Sequence, residues 1–475
     1  MTESILSTLQ CLGSLPPEWP EDLLSTITDQ IRASGEKVVV LDDDPTGTQT
    51  VHDIAVLTTW NVDALAAELR RPEQAFYILT NSRSFAASDA VALNRTIGAN
   101  LKQASILTGV NIAVVSRSDS TLRGHFPDEI DALLDVLEAG NMLCLIVPFF
   151  LEGGRYTVND VHYVAEGDRL IPAGQTAYAR DAVFGYHNSN LRHWVAEKTR
   201  GHIPCSEVGS ISIDDIRWGG PKRVTELLLR QAGRRACIVN AASYRDLEVV
   251  VQALLNAERQ GSRFICRTAA SFVRVRTGIQ PNEMIGYTEV TGSSNRGGLF
   301  VVGSYVPKTT EQVSALLTQT NVSAEEVHVD RLLNDGNRIH EIDRVRVRVN
   351  RWLENGRDVV IFTSRDLITG ASDRINLDIG RRVSESLIDI VRGLDHPPRY
   401  IVAKGGITSS DMATKALNVR RAMVMGQILP GVPVWKLGEE ARYPGMPFIV
   451  FPGNVGESDA LARIQKNLAR LQDKG

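Results

Sequence analysis

Three consecutive aspartates follow an apolar run near the start of the chain. The run, written VVVL, leads directly into Asp42, Asp43 and Asp44, and the letters PTG come next. A β-branched run that ends in Pro and Gly predicts a buried strand whose carboxyl end opens into a tight loop. Because ligands bind at that edge of open α/β sheets, three carboxylates there indicate a functional site. An Asp-rich turn that caps a helix is the alternative interpretation.

Three further loops of the first half place polar side chains after predicted strands. They contain Arg83 in one loop, Arg117, Asp119, Ser120 and Arg123 in the next, and Arg155 in the last. Since the carboxyl ends of parallel strands meet at one edge of a sheet, we expect these loops to converge. Carboxylates that accept from hydroxyls, beside guanidinium groups that grip a carboxylate, suit a polyhydroxy acid. For any single Arg, the alternative is a surface salt bridge.

The second half carries glycines and hydroxyl residues where its predicted strands end. These residues are Ser304 after LFVV, the run Gly405, Gly406, Ile407 and Thr408 after YIVAK, and Gly453 after FIVF. Free backbone N–H groups at such turns bind phosphate, although a single Gly pair is more often a tight turn. The sequence contains no G-x-x-x-x-G-K-[ST] motif, so a nucleotide would have to be bound in another way.

Strand and helix patterns alternate along both halves of the chain. This alternation predicts an α/β fold with two α/β domains, mostly parallel sheets and an active-site cleft between the domains. The predicted boundaries are an N-terminal extension at residues 1–36, a first domain at 37–276, a linker at 277–298 and a second domain at 299–475. Residues 152–186 break the rhythm and are expected to form a long irregular segment with a functional role.

Composition narrows the classes of function. A net charge of -4 and a pI near 6.2 give no basic field, which argues against a nucleic-acid partner. The five cysteines are scattered and never spaced as C-x-x-C, which favours reduced thiols in a cytoplasmic protein over structural zinc. The N-terminus does not resemble a signal peptide, and the longest apolar run is far shorter than the ~20 residues of a membrane span.

Taken in order, the motifs resemble those of the four-carbon acid sugar kinase family. They are D-D-P-T-G-T, T-N-S-R, R-S-D-S-T-L-R-G, G-R-Y-T, G-S, K-G-G-I-T-S, P-G-V-P and P-G-N-V-G. The resemblance extends from about Lys37 to about Leu471, and D-S-T-L-R-G is its most specific block. Members of that family include D-threonate, D-erythronate and 3-oxo-tetronate kinases. The resemblance implies a sugar-acid-binding domain at 37–276, an ATP-binding domain at 299–475 and phosphoryl transfer between the two ligands.

The resemblance also implies roles for individual residues. Asp43 and Asp44 match the paired acids of the family, and Arg83, Asp119, Ser120 and Arg123 match its substrate-binding blocks. Ser304, the run from Gly405 to Thr408, and Gly453 match its ATP-binding positions. The chain departs from the family pattern at Pro45, where Phe is usual, at Arg117, where Lys is usual, and at Ile407, where an acid is usual.

The expected chemistry is direct transfer of the γ-phosphoryl group of ATP to a substrate hydroxyl, with Mg²⁺ neutralising phosphate charge. Asp44, or its neighbour Asp43, would act as the general base. Arg83 and Arg123 would hold the carboxylate of the sugar acid, and Asp119 with Ser120 would bind its hydroxyls. We expect no nucleic-acid or membrane partner, and the sequence leaves a homodimer open as the oligomeric state.

Two other functions fit part of the sequence. Asp42, Asp44 and Thr46 match the D-x-D-x-T of haloacid-dehalogenase-like phosphatases, in which Asp42 would be the nucleophile. That scheme also needs a later Lys and an acidic pair, which the next strand ends do not offer in the expected form. A non-catalytic sugar-acid or nucleotide sensor is the other alternative, supported by the departures at Pro45 and Ile407. Pocket geometry would decide which acid and which hydroxyl are used.

Overall fold

The computed structural model describes residues 3–137, 142–231, 235–291, 294–304, 306–365, 373–453 and 455–469. Helices and strands alternate and most strand pairs are parallel, so the predicted α/β class is confirmed. The chain divides into two compact units, Met1–Pro281 and Asn282–Gly475. Among the described residues, no helix is both long enough and apolar enough to cross a membrane.

The first unit contains a parallel sheet. In spatial order its strands are Gly209–Ile211, Ala236–Val239, Leu143–Val147, Phe264–Thr268, Ile112–Arg117, Lys37–Asp42, Ala75–Leu79 and Ile54–Leu57. Most of these strands are buried on both faces, which is why they appear in the sequence as continuous apolar runs. The register pairs Asp42 with Leu79 on one side and with Arg117 on the other. The tips of these three strands therefore lie side by side.

Helices connect and cover these strands. In the first unit they are Thr8–Gly13, Leu24–Ser34, Val62–Leu69, Ala87–Thr108, Asp128–Val136, Leu191–Lys198, Ile213–Arg217, Gly220–Arg230, Tyr244–Glu258 and Ala270–Arg276, with short 3₁₀ turns at Pro45–Thr48 and Ser82–Ser84. Local sequence explains where several of them begin. Ser243, for example, forms a capping box with Asp246 at the start of the helix Tyr244–Glu258, which satisfies backbone N–H groups there.

The prediction that residues 152–186 form a long irregular segment is wrong for most of this stretch. It contains the antiparallel strands Arg155–Val158, Val161–Glu166 and Arg169–Pro172, and the strand Leu6–Ser7 pairs with the last of them. Asn159 and Asp160 both adopt positive φ, 51° and 62°, as the central residues of a tight hairpin turn require. The Asn-Asp pair was thus the local signal for a hairpin. The prediction relied on strands alternating with helices. These antiparallel strands follow one another without helices between them, so they did not match that pattern.

The second unit contains a mixed sheet. Its strands, in spatial order, are Arg421–Leu429, Val432–Leu437, Pro447–Phe451, Ile401–Lys404, Leu299–Val302, Val359–Thr363 and Ser323–Val327. The pairs that involve Val432–Leu437 are antiparallel and the others are parallel. The sequence predicts a strand near residues 327–329 and none at Val432–Leu437. The structure places that edge strand earlier, at Ser323–Val327, where buried and exposed residues alternate.

Helices of the second unit complete its core. They are Tyr287–Thr291, Pro307–Gln319, Val329–Leu333, Asp335–Glu354, Asp373–Arg392, Gly406–Asp411 and Ala460–Ala469, with a π-helical turn at Met412–Ala416. Ile285 and Val290, inside the proposed linker, are buried in the hydrophobic core of this unit. The sequence predicts that the last helix extends from Glu457 to Leu471, and that predicted end lies outside the described residues.

Candidate functional site

The loops of the first unit meet where its central parallel strands end. The backbone N–H of Thr80 donates to the carbonyl of Asp42 at 2.9 Å, and that of Ser118 donates to Thr268 at 2.9 Å. These bonds join the loops that follow four strands into one continuous edge. The three aspartates and the arginines named from the sequence lie along it.

Asp42 is buried and its carboxylate is paired. Only 1% of the residue is exposed, and Arg117 Nη1 lies 3.0 Å from Asp42 Oδ1. A Cβ atom at Gly47 would stand 2.1 Å from Asp42 Oδ2, so only glycine allows the loop to close over this carboxylate. Burial, opposed by Arg117 and reinforced by Asp43, raises the pKa of Asp42 to about 7.

Apart from Arg117, the carboxylate of Asp43 contacts different residues from those around the carboxylate of Asp42. The Ser118 hydroxyl donates to Asp43 Oδ2 at 2.7 Å, and Gly124 packs close to both side chains. Asp43 Oδ1 lies 3.5 Å from Arg117 Nη1 and 3.8 Å from Arg83 Nη1, and it accepts no hydrogen bond from the described residues. A buried carboxylate oxygen without a donor is a position where a substrate hydroxyl could bind.

Asp44 is the more exposed of the last two aspartates. It caps the 3₁₀ turn Pro45–Thr48 by accepting from the backbone N–H of Thr46 at 2.9 Å, and it accepts from Arg83 Nη2. Burial by itself would raise the pKa of Asp44, but Arg83 and the hydrogen bonds from Thr46 outweigh it and the net pKa is lowered. Asp44 is therefore held as a carboxylate.

Arg83 links the first loop to the third. Besides Asp43 and Asp44, it contacts Asp119, with Arg83 Nη1 and Asp119 Oδ1 separated by 3.5 Å. Arg123 Nε donates to Asp119 Oδ2 at 2.6 Å. Burial alone would raise the pKa of Asp119, but the Arg123 and Arg83 guanidinium groups hold it well below its usual range. Arg83 and Arg123 are thus already neutralised by carboxylates of the protein.

Ser120 lies in the same loop and is buried. Its carbonyl oxygen lies 2.7 Å from Nε2 of His162, a fully buried residue of the second hairpin strand. Burial, helped by the Arg155 and Arg267 cations, lowers the pKa of His162 to about 4, so the ring is neutral and donates this hydrogen bond. The small antiparallel sheet therefore holds the Asp119 loop in place.

Arg155 begins that antiparallel sheet and faces Tyr178. Arg155 Nη2 donates to Tyr178 Oη at 3.4 Å, and its guanidinium carbon lies 5.6 Å from the centre of the Tyr178 ring. The guanidinium carbon of Arg123 lies 5.1 Å from the same centre. The structure thus brings Arg155 close to the block that contains Asp119 and Arg123.

Sequence reasoning missed Tyr178 and Arg267. Arg267 is 2% exposed, donates from Nη2 to the carbonyl of Arg123 at 3.0 Å, and stacks on Trp194 with 5.0 Å between the guanidinium carbon and the ring centre. A signal existed, because Arg267 interrupts the apolar strand Phe264–Thr268. Tyr178 lies in a 3₁₀ turn within the segment expected to be irregular and had no such signal.

In the second unit, the structure brings Ser304, Gly405 and Thr408 together. A Cβ atom at Gly405 would lie 3.3 Å from Ser304 Cβ and 3.5 Å from Thr408 Oγ1, and one at Gly303 would lie 2.6 Å from Thr408 Oγ1. Gly405 adopts a φ of 112°, which residues with side chains rarely take. The glycines thus leave backbone groups and two hydroxyls around a small space at the strand ends.

Gly453 follows the neighbouring strand. The backbone N–H of Gly405 donates to the carbonyl of Phe451 at 2.8 Å, which joins the two glycine loops. Lys404, fully buried, donates from Nζ to the carbonyl of Pro452 at 2.7 Å, and burial with the nearby Lys308 lowers its pKa to about 7. A Cβ atom at Gly453 would meet open space. The same local run also contains Gly406, which is half-buried, and Ile407, which is 63% exposed.

Metal ligands do not cluster in the part of the chain that the structure describes. No group of three or more His, Cys, Asp or Glu residues there could hold a metal ion. The strand-end acids Asp42, Asp44 and Asp119 instead pair with guanidinium groups. Because cations of the protein already pair with these carboxylates, the residues present do not fit a dedicated Mg²⁺ site.

Two family models match the chain. A model described as a sugar-binding N-terminal domain matches residues 38–276, and one described as a nucleotide-binding C-terminal domain matches residues 299–461. The candidate site of the first unit lies within the first match, and the glycine loops of the second unit lie within the other.

Individual relatives agree with these matches. A D-erythronate kinase of Heliobacterium modesticaldum is 27% identical over 367 residues, which are 72% of this chain and 76% of that protein. A D-threonate kinase of Bordetella bronchiseptica is 26% identical over 406 residues, 84% of this chain and 87% of that protein. Solved structures from Haemophilus influenzae and Salmonella typhimurium share the fold, with TM-scores of 0.62 and 0.66 at 19% and 17% identity, and cover 90% and 91% of this chain and 100% and 99% of their own.

Proposed function

Because the chain belongs to the four-carbon acid sugar kinase family, we propose that it transfers the γ-phosphoryl group of ATP to a hydroxyl of a small sugar acid. The observation that carries this proposal is the cluster of Asp43, Asp44, Arg83 and Asp119 at one sheet edge. Such a cluster offers acceptors for several hydroxyls and fixed cations nearby. The names of the two kinase relatives support a tetronate as the acid, and a 3-oxo-tetronate is the related candidate that the family resemblance adds.

In this proposal, Asp44 orients the accepting hydroxyl and takes its proton. Asp44 is the less buried of the two candidate bases, and Arg83 holds its carboxylate in place. A low pKa suits this role, because the loose transition state of phosphoryl transfer depends more on positioning than on proton affinity. Asp43 and Asp119 bind further hydroxyls, and the Ser120 region of the same loop completes the polar surface. Arg117 acts indirectly, since it neutralises Asp42 beneath the site.

The second unit binds ATP in this proposal. Backbone N–H groups of the loops at Gly405 and Gly453, with the hydroxyls of Ser304 and Thr408, are the donors we assign to its phosphates. The exposed Ile407 lies on the same local run and contributes contact rather than charge. Mg²⁺ would arrive as the counter-ion of the ATP phosphates, as is usual for sites with few protein ligands.

The phosphatase alternative is not favoured by the geometry. A nucleophile that forms an aspartyl-phosphate must reach the phosphorus atom, whereas Asp42 is buried, paired with Arg117 and covered by Gly47. Its raised pKa also leaves it partly protonated near neutral pH, which weakens a carboxylate nucleophile.

A screen for ADP release against C4 and C5 sugar acids tests the proposal. We expect release with at least one tetronate or 3-oxo-tetronate. Replacing Asp44 with Asn should lower kcat on the order of 10²- to 10⁴-fold, because a general base contributes about that much. ATP affinity, measured by calorimetry, should stay nearly unchanged.

Asp63→Asn, at an exposed position of the same unit, is the matched control and should keep full activity. Undiminished turnover by Asp44→Asn would remove the assignment of the base. ATP binding without ADP release for any acid would favour the sensor, and ATP-independent release of phosphate from aryl phosphates would favour the phosphatase.

A further inference from the structure

The guanidinium groups of the first site differ in how far the protein already neutralises them. Arg83 contacts three carboxylates, and Arg117 contacts two. Arg123 pairs with Asp119 at 2.6 Å and lies 3.6 Å from Asp181. These three cations therefore have little charge left to offer a substrate, because each is balanced by aspartates fixed around it.

Among the four arginines of this site named from the sequence, Arg155 is the exception. No carboxylate of the described residues forms an ion pair with it, and its Nε is buried without an acceptor. Its hydrogen bond to Tyr178 Oη, at 3.4 Å, is long and goes to a neutral group. A buried guanidinium N–H without a partner costs free energy, and a missing ligand is one of the few explanations for it.

The protein nevertheless fixes Arg155 in position. Its backbone forms a two-way bridge with Phe150, in which Arg155 N donates to Phe150 O at 2.8 Å and Phe150 N donates to Arg155 O at 3.1 Å. A Cβ atom at Gly153 would lie 3.3 Å from Arg155 Nη1 and 2.4 Å from the Phe150 ring. The glycine thus leaves room for the guanidinium group, which is held in place without an ion pair to any carboxylate of the described residues.

A second buried guanidinium group, that of Arg267, acts on the same surroundings as Arg155. His162, which is buried nearby, has its pKa lowered to about 4 by burial and further by the Arg155 and Arg267 cations. Tyr178 lies against both Arg155 and Arg123. An anion at this point would pair with the Arg155 guanidinium group and complete its hydrogen bonds.

We propose that Arg155, rather than Arg83 or Arg123, binds the carboxylate of the sugar acid, with Tyr178 as the side wall of that subsite. This inference rests on the proposed function, and it adds the orientation of the sugar acid in the site. The carboxylate binds at Arg155, and the hydroxyls extend toward Asp119 and Asp44. Arg83 and Arg123 are then positioning residues that hold these two aspartates.

The test compares acid with neutral ligand in the full-length protein. Calorimetry without ATP would measure binding of D-erythronate and D-threonate and of their primary amides, which keep the hydroxyls but lack the charge. The unaltered protein should prefer acid to amide. Arg155→Gln should weaken acid binding on the order of 10- to 100-fold, the effect of losing a charge-assisted hydrogen bond, and should leave amide binding within about threefold. Arg155→Lys should restore part of the preference, because it keeps the charge and loses the bidentate fork.

Arg169→Gln is the matched control, since Arg169 is exposed on the same small sheet. Equal weakening of acid and amide by Arg155→Gln would mean a structural role and would overturn the inference. So would an acid preference that survives the substitution, or the absence of acid binding by the unaltered protein. Failure of the proposed function would give a different result. Acid binding would still depend on Arg155, but no acid would cause ADP release from ATP.

Discussion

Each strand-end aspartate of the first unit is balanced by a guanidinium group. Asp42 pairs with Arg117, and Asp44 pairs with Arg83. Because removing one partner of a buried pair leaves an uncompensated charge, such pairs are sensitive to substitution whether or not they add net stability. The pair with Arg83 fixes Asp44 in the charged form needed for hydroxyl binding, whereas Arg117 only partly offsets the burial that raises the pKa of Asp42 to about 7.

Glu129 is a buried acid next to this network that takes no part in the proposed chemistry. It is 7% exposed and accepts from Asn94 Nδ2 at 3.0 Å. Burial, followed by repulsion from Asp43, raises its pKa from 4.5 to about 7. Between these two values, the folded protein binds a proton more tightly than the unfolded chain does. The free energy of unfolding contributed by Glu129 therefore falls as the pH rises through this window.

Replacing Glu129 with Gln should remove this pH dependence. Glutamine keeps the acceptor for Asn94 and does not titrate. Relative to the unaltered protein, Glu129→Gln should gain roughly 1–3 kcal/mol of unfolding free energy between about pH 5 and about pH 8. Urea denaturation at both pH values measures this. Glu207→Gln, at an exposed position, is the control, and a stability difference that does not change with pH would contradict the prediction.

At the scale of elements, one helix of the second unit holds a glycine loop. Gln312, on the helix Pro307–Gln319, is fully buried, and its Nε2 donates to the carbonyls of Val455, Gly456 and Glu457 at 3.1, 3.3 and 2.9 Å. This loop continues from the one that contains Gly453. The position of a proposed phosphate-binding turn thus depends on a side chain more than a hundred residues away in sequence.

Replacing Gln312 with Glu should disturb this loop. The substitution exchanges the donor group for a carboxylate oxygen that faces carbonyl oxygens, so the loop should shift and the KM for ATP should rise about tenfold or more. The KM for the sugar acid should not change. Gln319→Glu, exposed on the same helix, is the control. Unchanged ATP kinetics in Gln312→Glu would show that the loop does not contribute to nucleotide binding.

At the scale of the whole molecule, each unit has its own set of strands and its own proposed ligand. Arg155 and Gln312 share no contacting residue in the interactions described above. Effects of substitutions without shared partners usually add as free energies. The double variant Arg155→Gln with Gln312→Glu should therefore have the weakened acid binding of the first single variant and the raised KM for ATP of the second. Steady-state kinetics in both substrates would measure this, and a combined effect far from the product of the two single effects would reveal coupling between the ligand sites.

The sequence alone was enough to predict the α/β class and most of the elements. Runs such as Val38 to Leu41 are local signals, because a strand buried on both faces must be apolar along its whole length. The same runs indicated where the strands end, and hence which acids and arginines lie at the sheet edge. Local turn chemistry was present as well, in the pair Asn159 and Asp160, but it was outweighed by the expectation of strand-helix alternation.

Only the tertiary structure decided how the charges are shared. The pairing of Asp42 with Arg117 depends on the register of two strands that lie far apart in sequence, and the support of Ser120 by His162 depends on a hairpin folding back. Sequence shows which charged groups are available, but it does not show which of them neutralise each other, because that depends on distances set by packing. For the same reason, only the structure distinguishes Arg155 from Arg83, Arg117 and Arg123, since it alone of these four forms no ion pair with a carboxylate of the described residues.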